Sequence, residues 1–208
     1  MNPTERLDFV VDANGWCAQA QRLPSPNCDL RPQGTVIDLL VVHNISLPPD
    51  EFGTHYIEAL FLNRLDCDVH PYFDRLRGMR VSAHFLITRE GSLLQFVSAH
   101  DRAWHAGVSQ FEGRERCNDF SIGVELEGSD FQAFTPPQYA ALAGLTAALQ
   151  QRYPLRCVAG HEHLAPGRKT DPGPFFDWQH LRGMLQVRDS NDPAAKVLPT
   201  TLSFPINV

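Results

Sequence analysis

No stretch of this sequence stays apolar for the roughly 18 residues that a membrane-spanning helix requires. Its start, Met-Asn-Pro-Thr-Glu-Arg-Leu-Asp, has no basic segment leading into an apolar one, so the expected compartment is the cytoplasm. Cysteine is sparse and unpaired. Cys17, Cys28, Cys67, Cys117 and Cys157 make five, with no CxxC spacing, which excludes a disulfide framework or a thiolate zinc ribbon and reads as reduced thiols. Basic charge is also short: 18 Lys and Arg against 24 Asp and Glu give −6, which argues against non-specific nucleic-acid binding. Internal repeats and low-complexity tracts are absent, so no solenoid is expected. The helical zincin signature is missing too, because His161-Glu-His-Leu-Ala165 does not have HExxH spacing.

What is present suffices for one domain, since 208 residues can bury a full core without staples. Residues 1 to about 33 are rich in Pro, Asn, Asp and Arg and predict irregular structure wrapped on that domain. The run Val36-Ile-Asp-Leu-Leu-Val-Val-His43 predicts a buried strand. Thr54 is placed to cap a helix carrying Ile57, Leu60, Phe61 and Leu65, and a loop with a short helix should follow from Asp66 to Arg77. Val81–Thr88 and Leu93–Val97, joined by Arg89-Glu-Gly-Ser92, predict a hairpin. In the next strand, Phe120 to Glu127, Ile122, Val124 and Leu126 share one face and Gly123, Glu125 and Glu127 the other. Thr135-Pro-Pro starts the longest helix, running to Tyr153; a strand over 156–160 follows, and Asp177 can cap a last helix, Trp178 to Leu185. From about 188 the composition is that of a tail. Strands interleaved with helices predict a single α/β domain around one mixed sheet flanked by helices.

The chemistry concentrates in Gly160-His-Glu-His-Leu-Ala-Pro-Gly-Arg-Lys-Thr-Asp-Pro-Gly173, read as a loop leaving a strand. A catalytic zinc site takes three protein ligands and keeps one position open, and His43, His161 and Asp171 would supply two imidazoles and a carboxylate. His163 competes with His161, because residues two apart on a strand point the same way. Asp171 has an alternative role as a turn residue before Pro172. Glu125, centred in an apolar strand, is a candidate general base, the alternative being a strand-edge glutamate facing water. Lys169 could stabilise an oxyanion; alone it would be a surface lysine.

Five ordered motifs carry a resemblance: Val41-Val-His-Asn-Ile-Ser-Leu-Pro-Pro-Asp-Glu-Phe-Gly53, Arg80-Val-Ser-Ala-His84, Arg102-Ala-Trp-His-Ala-Gly107, Gly113-Arg-Glu-Arg-Cys-Asn-Asp-Phe-Ser-Ile-Gly-Val-Glu-Leu-Glu-Gly128, and Gly160-His followed by Gly167-Arg-Lys-Thr-Asp-Pro-Gly173. Together they resemble the AmpD-type 1,6-anhydro-N-acetylmuramyl-L-alanine amidases, within the wider N-acetylmuramoyl-L-alanine amidase family that shares its fold with peptidoglycan recognition proteins. The match runs from about residue 14 to 185, leaving residues 1–13 as an N-terminal extension and 186–208 as a C-terminal tail.

The resemblance implies zinc (Zn2+) on His43, His161 and Asp171, with Glu125 as catalytic base, Lys169 as its assistant and His163 outside the ligand set. It further implies hydrolysis of the amide between the lactyl group of 1,6-anhydro-N-acetylmuramic acid and L-alanine, in cytoplasmic cell-wall recycling. The partner would be a small 1,6-anhydro-muropeptide, the enzyme a monomer. Arg80 and Arg116 match substrate-contact positions suited to the stem peptide's carboxylates, and Asn44 and Trp104 could meet the sugar and its lactyl arm. Read without the resemblance, the arginines are solvated surface and Trp104 a half-buried core aromatic. His105 would stand behind the metal. The competing readings are a general murein amidase of the cell envelope and a non-catalytic peptidoglycan-fragment receptor on the same fold.

Overall fold

The computed structural model describes residues 7–191 and 202–205; expectations for residues 1–6, 192–201 and 206–208 lie outside the described residues. In chain order the described elements are β1 (Gln21–Arg22), β2 (Cys28–Asp29), β3 (Leu39–Ile45), α1 (Tyr56–Phe61), a 3-10 turn Pro71–Leu76, β4 (Phe85–Ile87) and β5 (Leu93–Gln95). There follow β6 (Arg102–Ala103), β7 (Gln110–Phe111), β8 (Arg114–Glu115), a 3-10 turn Cys117–Asp119, β9 (Ser121–Glu127), α2 (Pro136–Gln150), β10 (Cys157–Gly160), α3 (His161–Leu164) and α4 (Trp178–Asn191). One six-stranded sheet runs β1-β5-β4-β9-β3-β10. All its neighbours are parallel except the β4–β5 hairpin, so the sheet is mixed as expected.

The central strands are buried on both faces, which is why they read as continuous apolar runs. One face presents Leu40, Val42, Phe85, Ile122, Val124, Leu126 and Val158 to the main core, which includes Leu142, Leu145 and Leu149 of α2 and Leu181 and Leu185 of α4. The opposite face is divided. Leu86, Leu94 and Phe96 join a cluster with Ile57, Leu60 and Phe61 of α1, while Leu39, Val41, Cys157 and Ala159 join another with Cys117 and Phe120. Polar side chains of β3 and β9 emerge on this divided face, because alternation sends His43 and Glu125 opposite to Val42, Val124 and Leu126.

Helix α2 begins where the sequence places it: Thr135 and Gln138 form a reciprocal capping box, with Pro136 in the first turn. The expected cap at Thr54 is corrected. Its hydroxyl donates to the Leu47 carbonyl at 2.7 Å, and α1 starts one residue later after an uncapped His55. Asp177 does cap α4, its carboxylate accepting from His180 N at 2.8 Å, and the helix continues beyond Leu185 to Asn191.

The two chain ends pack more closely than their compositions suggest. Val11 is buried, Leu7 and Phe9 lie against the main core, and a Cβ added to Gly144 would stand 2.5 Å from the Leu7 carbonyl oxygen, so this segment crosses α2 where no side chain intervenes. At the other end Ser203 bridges Cys157 in parallel, beyond β10, with Leu202 buried. Among the described residues no helix is long and apolar enough to cross a membrane.

Candidate active site and metal centre

Register places the first two site residues side by side. His43 of β3 pairs with Glu125 of β9, so both side chains leave the same face of adjacent parallel strands about 5 Å apart. The neighbouring strand β10 ends at Gly160, opposite Val42, and delivers His161 as the first residue of α3. The chain after α3 folds back, with Glu162 N donating to the Asp171 carbonyl at 2.9 Å and Lys169 N to that of Ala165 at 3.0 Å. Asn44 pins this return, its amide nitrogen donating to Asp130 Oδ1 at 2.8 Å and to the Pro172 carbonyl at 3.0 Å.

The result is a convergence of three ligand atoms. His43 Nδ1 lies 2.8 Å and His161 Nδ1 3.1 Å from Asp171 Oδ2, and the two nitrogens are 3.1 Å apart. The Nε2 of His161 lies 3.0 Å from the Ala106 carbonyl, which can only accept, so a neutral His161 carries its proton there and turns a bare Nδ1 toward the cluster. Two imidazole nitrogens and one carboxylate oxygen aimed at one point fit a zinc ion, whose tetrahedral shell would keep a fourth position for a reactant.

The electrostatics agree with a buried anionic centre. Burial opposes the charge on Asp171, but without a metal the His161 and His43 imidazoles, when they carry protons toward it, outweigh burial and hold its pKa well below the usual carboxylate range. Burial pulls the His43 imidazole down, against the opposing pull of Asp171. Glu125 goes the other way: burial, then the Asp171 charge, pushes its carboxyl well above the ordinary value, with Lys169 opposing. Its Oε2 is buried and has no hydrogen-bond partner among the described residues.

These groups open into a cleft of about 550 Å³ whose walls include Asn44, Trp104, Glu125, Lys169 and Asp171. Arg80 and Arg116 are not among its lining residues. Arg80 is exposed, and the Arg116 guanidinium turns to Asp119 at 3.2 Å. Two arginines that sequence reading did not single out line the cleft instead: Arg75, brought to its wall beside Tyr72 by the 3-10 turn, and Arg168, whose guanidinium donates to the Ala106 and Val108 carbonyls. His163 is set apart from His161, because the stretch is a helical turn and not a strand, and its Nδ1 accepts from Gly160 N at 2.9 Å. Behind the cluster stands His105, where the sequence reading expected it, its Nδ1 2.9 Å from His43 Nε2; the reading missed Asn118, whose Oδ1 accepts from the backbone of residues 105 and 106. Polar residues in irregular segments leave no periodic signal, and their motif context was the only cue.

Comparison with known proteins points in one direction. A family profile described as N-acetylmuramoyl-L-alanine amidase matches residues 33–174. The chain is 56% identical over 173 residues to 1,6-anhydro-N-acetylmuramyl-L-alanine amidase AmpD of Citrobacter freundii, covering 82% of this chain and 92% of that protein. The crystal structure of a selenomethionine AmpD derivative superposes with a TM-score of 0.81 at 54% identity, over 85% of this chain and 99% of the other. A complex of the Escherichia coli amidase AmiD with the substrate anhydro-N-acetylmuramic acid-L-Ala-D-γ-Glu-L-Lys superposes with a TM-score of 0.54 at 28% identity, over 85% of this chain and 65% of the other.

Proposed function

The chain belongs to the N-acetylmuramoyl-L-alanine amidase family and is an enzyme of that class, and from this premise we propose that it cleaves the lactyl–L-alanine amide of 1,6-anhydro-muropeptides with zinc as cofactor. The observation that carries the mechanism is the buried, unpartnered Glu125 carboxyl in the same cleft as the His43, His161 and Asp171 cluster. The substrate class rests on the AmpD relatives, aligned over nearly their whole length.

His43 Nδ1, His161 Nδ1 and Asp171 Oδ2 would hold the zinc ion, which supplies Lewis acidity at the scissile carbonyl when bound. Glu125 acts as general base. Its raised pKa makes it a stronger proton acceptor at working pH, so it takes a proton from the water that attacks the carbonyl carbon. It then returns that proton to the departing L-alanine nitrogen as the C–N bond breaks, and the second proton of the water passes from the new lactyl carboxyl to the amine, leaving a carboxylate and an ammonium. Lys169, on the cleft wall, offers its ammonium to the charge developing on the carbonyl oxygen.

Asn44 and Trp104 are assigned to the sugar and lactyl arm. For Asn44 this leaves the amide oxygen, since the nitrogen holds Asp130 and Pro172. Arg80 and Arg116, outside the cleft wall, are assigned to the outer end of the stem peptide, and Arg75 inside it to a nearer carboxylate. The catalytic domain is proposed to span residues 14–185, acting as a monomer. A cytoplasmic role in cell-wall recycling is supported by five free thiols, of which Cys17, Cys117 and Cys157 are buried in apolar clusters.

The test is product mass spectrometry after incubation with anhydro-muramyl tripeptide and, separately, with the same muropeptide carrying an ordinary muramic acid end. Release of free peptide chiefly from the anhydro substrate, abolished by a chelator and restored by zinc, is expected. Equal cleavage of both would replace this reading with a general murein amidase, and cleavage of neither with a fragment receptor.

A further inference from the structure

Both imidazoles of the ligand cluster are held from behind by one short stretch, His105-Ala106, and the hydrogen bonds there leave a single consistent placement of protons. The Ser121 hydroxyl donates to the Cys117 carbonyl at 2.6 Å and has no second proton, so its Oγ can only accept from His105 Nε2 at 3.2 Å. His105 therefore carries its proton on Nε2 and, as a neutral ring, presents Nδ1 as an acceptor. That Nδ1 faces His43 Nε2 at 2.9 Å, so His43 donates there and its own Nδ1, 2.8 Å from Asp171 Oδ2, is left bare. One residue on, the Ala106 carbonyl fixes the His161 tautomer in the same sense. The clamp is itself anchored: Asn118 Oδ1 accepts from His105 N at 3.2 Å and from Ala106 N at 2.8 Å. Space for the ring comes from Gly123, where a Cβ would lie 2.5 Å from His105 Cγ.

We propose that His105 is a positioning residue that fixes the tautomer and orientation of His43 for zinc, the inference resting on the zinc amidase reading above. His105 lines the cleft, yet both its ring nitrogens are engaged, one by His43 and one by Ser121, so it is not placed to serve as a second general base. Outer partners of metal-bound imidazoles commonly set metal affinity in this way.

Two measurements test it. In zinc-loaded wild-type protein, long-range ¹⁵N–¹H spectra of the imidazoles should show His105 neutral and protonated on Nε2. Zinc affinity, read by chelator competition, should fall about 10- to 100-fold in His105→Phe, which keeps a flat ring without the acceptor. His105→Asn should restore most of the affinity, because its side-chain oxygen stands where Nδ1 stands. A His105 protonated on Nδ1, or a His105→Phe variant that binds zinc like wild type, would overturn the inference, and should that variant fail to fold, the wild-type spectrum decides alone. Absence of zinc uptake by wild-type protein would instead overturn the proposed function and this inference with it, whereas uptake indifferent to position 105 removes only the inference.

Discussion

Glu125 stands in the centre of β9 with one carboxylate oxygen buried and unpartnered, a placement that costs stability whenever the group is charged. If it is the base, Glu125→Gln retains zinc and loses turnover by about 10²- to 10⁴-fold, measured as kcat with metal content checked in parallel. The same substitution has a stability signature with a definite sign. Burial raises the folded-state pKa above the roughly 4.3 of an unfolded glutamate, so the folded protein holds a proton that the unfolded chain has released. Wild-type stability therefore falls as pH rises through that window, and Gln does not share the loss. In chelator-treated protein the Tm of Glu125→Gln relative to wild type should climb from pH 4 toward neutrality; a pH-independent difference would show that the carboxyl is not perturbed. Asp171→Ala should lose both stoichiometric zinc and turnover, and a variant that keeps one zinc per chain would remove Asp171 from the ligand set. Residue-level reading of the sequence singled out His43 at a strand end, Glu125 within a strand and Asp171 at a turn as candidates, and kept a structural alternative for Glu125 and Asp171. It left His161 and His163 undecided, since the answer depended on a single helical turn directly after Gly160 that separates their side chains around the helix axis.

At the scale of elements, Thr54 and Thr135 look alike in sequence, each a threonine ahead of helically spaced apolar residues, yet only Thr135 caps a helix. The difference is chemical: Thr135 has Gln138 three residues on to reciprocate and Pro136 to pre-set the backbone, whereas the Thr54 hydroxyl is drawn to Leu47. Thr135 also donates to the Arg89 carbonyl at 2.6 Å, tying α2 to the β4–β5 turn. Thr135→Ala should therefore cost about 1–2 kcal/mol and lower Tm by several degrees, read by thermal melts, with zinc content unchanged. An unaltered Tm would show that the cap is redundant with packing. Strand β9 was legible in full from its alternation, and α2 from its cap and apolar spacing. The two-residue strand β1 was not, because exposed Gln21 and Arg22 carry no apolar pattern and their place in the sheet depends on parallel pairing with β5, remote in sequence.

For the whole molecule, the informative departure lies at the C-terminal end, where composition suggests a tail and the described residues show a sheet edge being extended. Val158 N donates to Ser203 O at 3.0 Å and Ser203 N to Arg156 O at 2.8 Å, Leu202 is buried, and Phe204 packs edge-on against Trp178 with ring centroids 6.3 Å apart. A few apolar residues in a Pro- and Thr-rich run have no periodicity, so nothing local announces this contact. Burying one leucine contributes about 1.5–3 kcal/mol and two backbone hydrogen bonds about 0.5–1.5 each, offset by the entropy of ordering the segment. Truncation after Asn191 should thus lower stability by about 1–3 kcal/mol net, or Tm by roughly 2–4 °C per kcal/mol in a chain of this size. The segment lies against the same strand, β10, that delivers His161, so the truncation also asks how the metal cluster is held. Gly160 is paired to Val42 on the sheet side, and the His161 ring is held by Ala106, neither of which the truncation touches. Zinc affinity by chelator competition should therefore stay at the wild-type value while Tm falls. Loss of zinc in parallel with stability would mean that the position of His161 is set from the outer edge of the sheet and not from its centre.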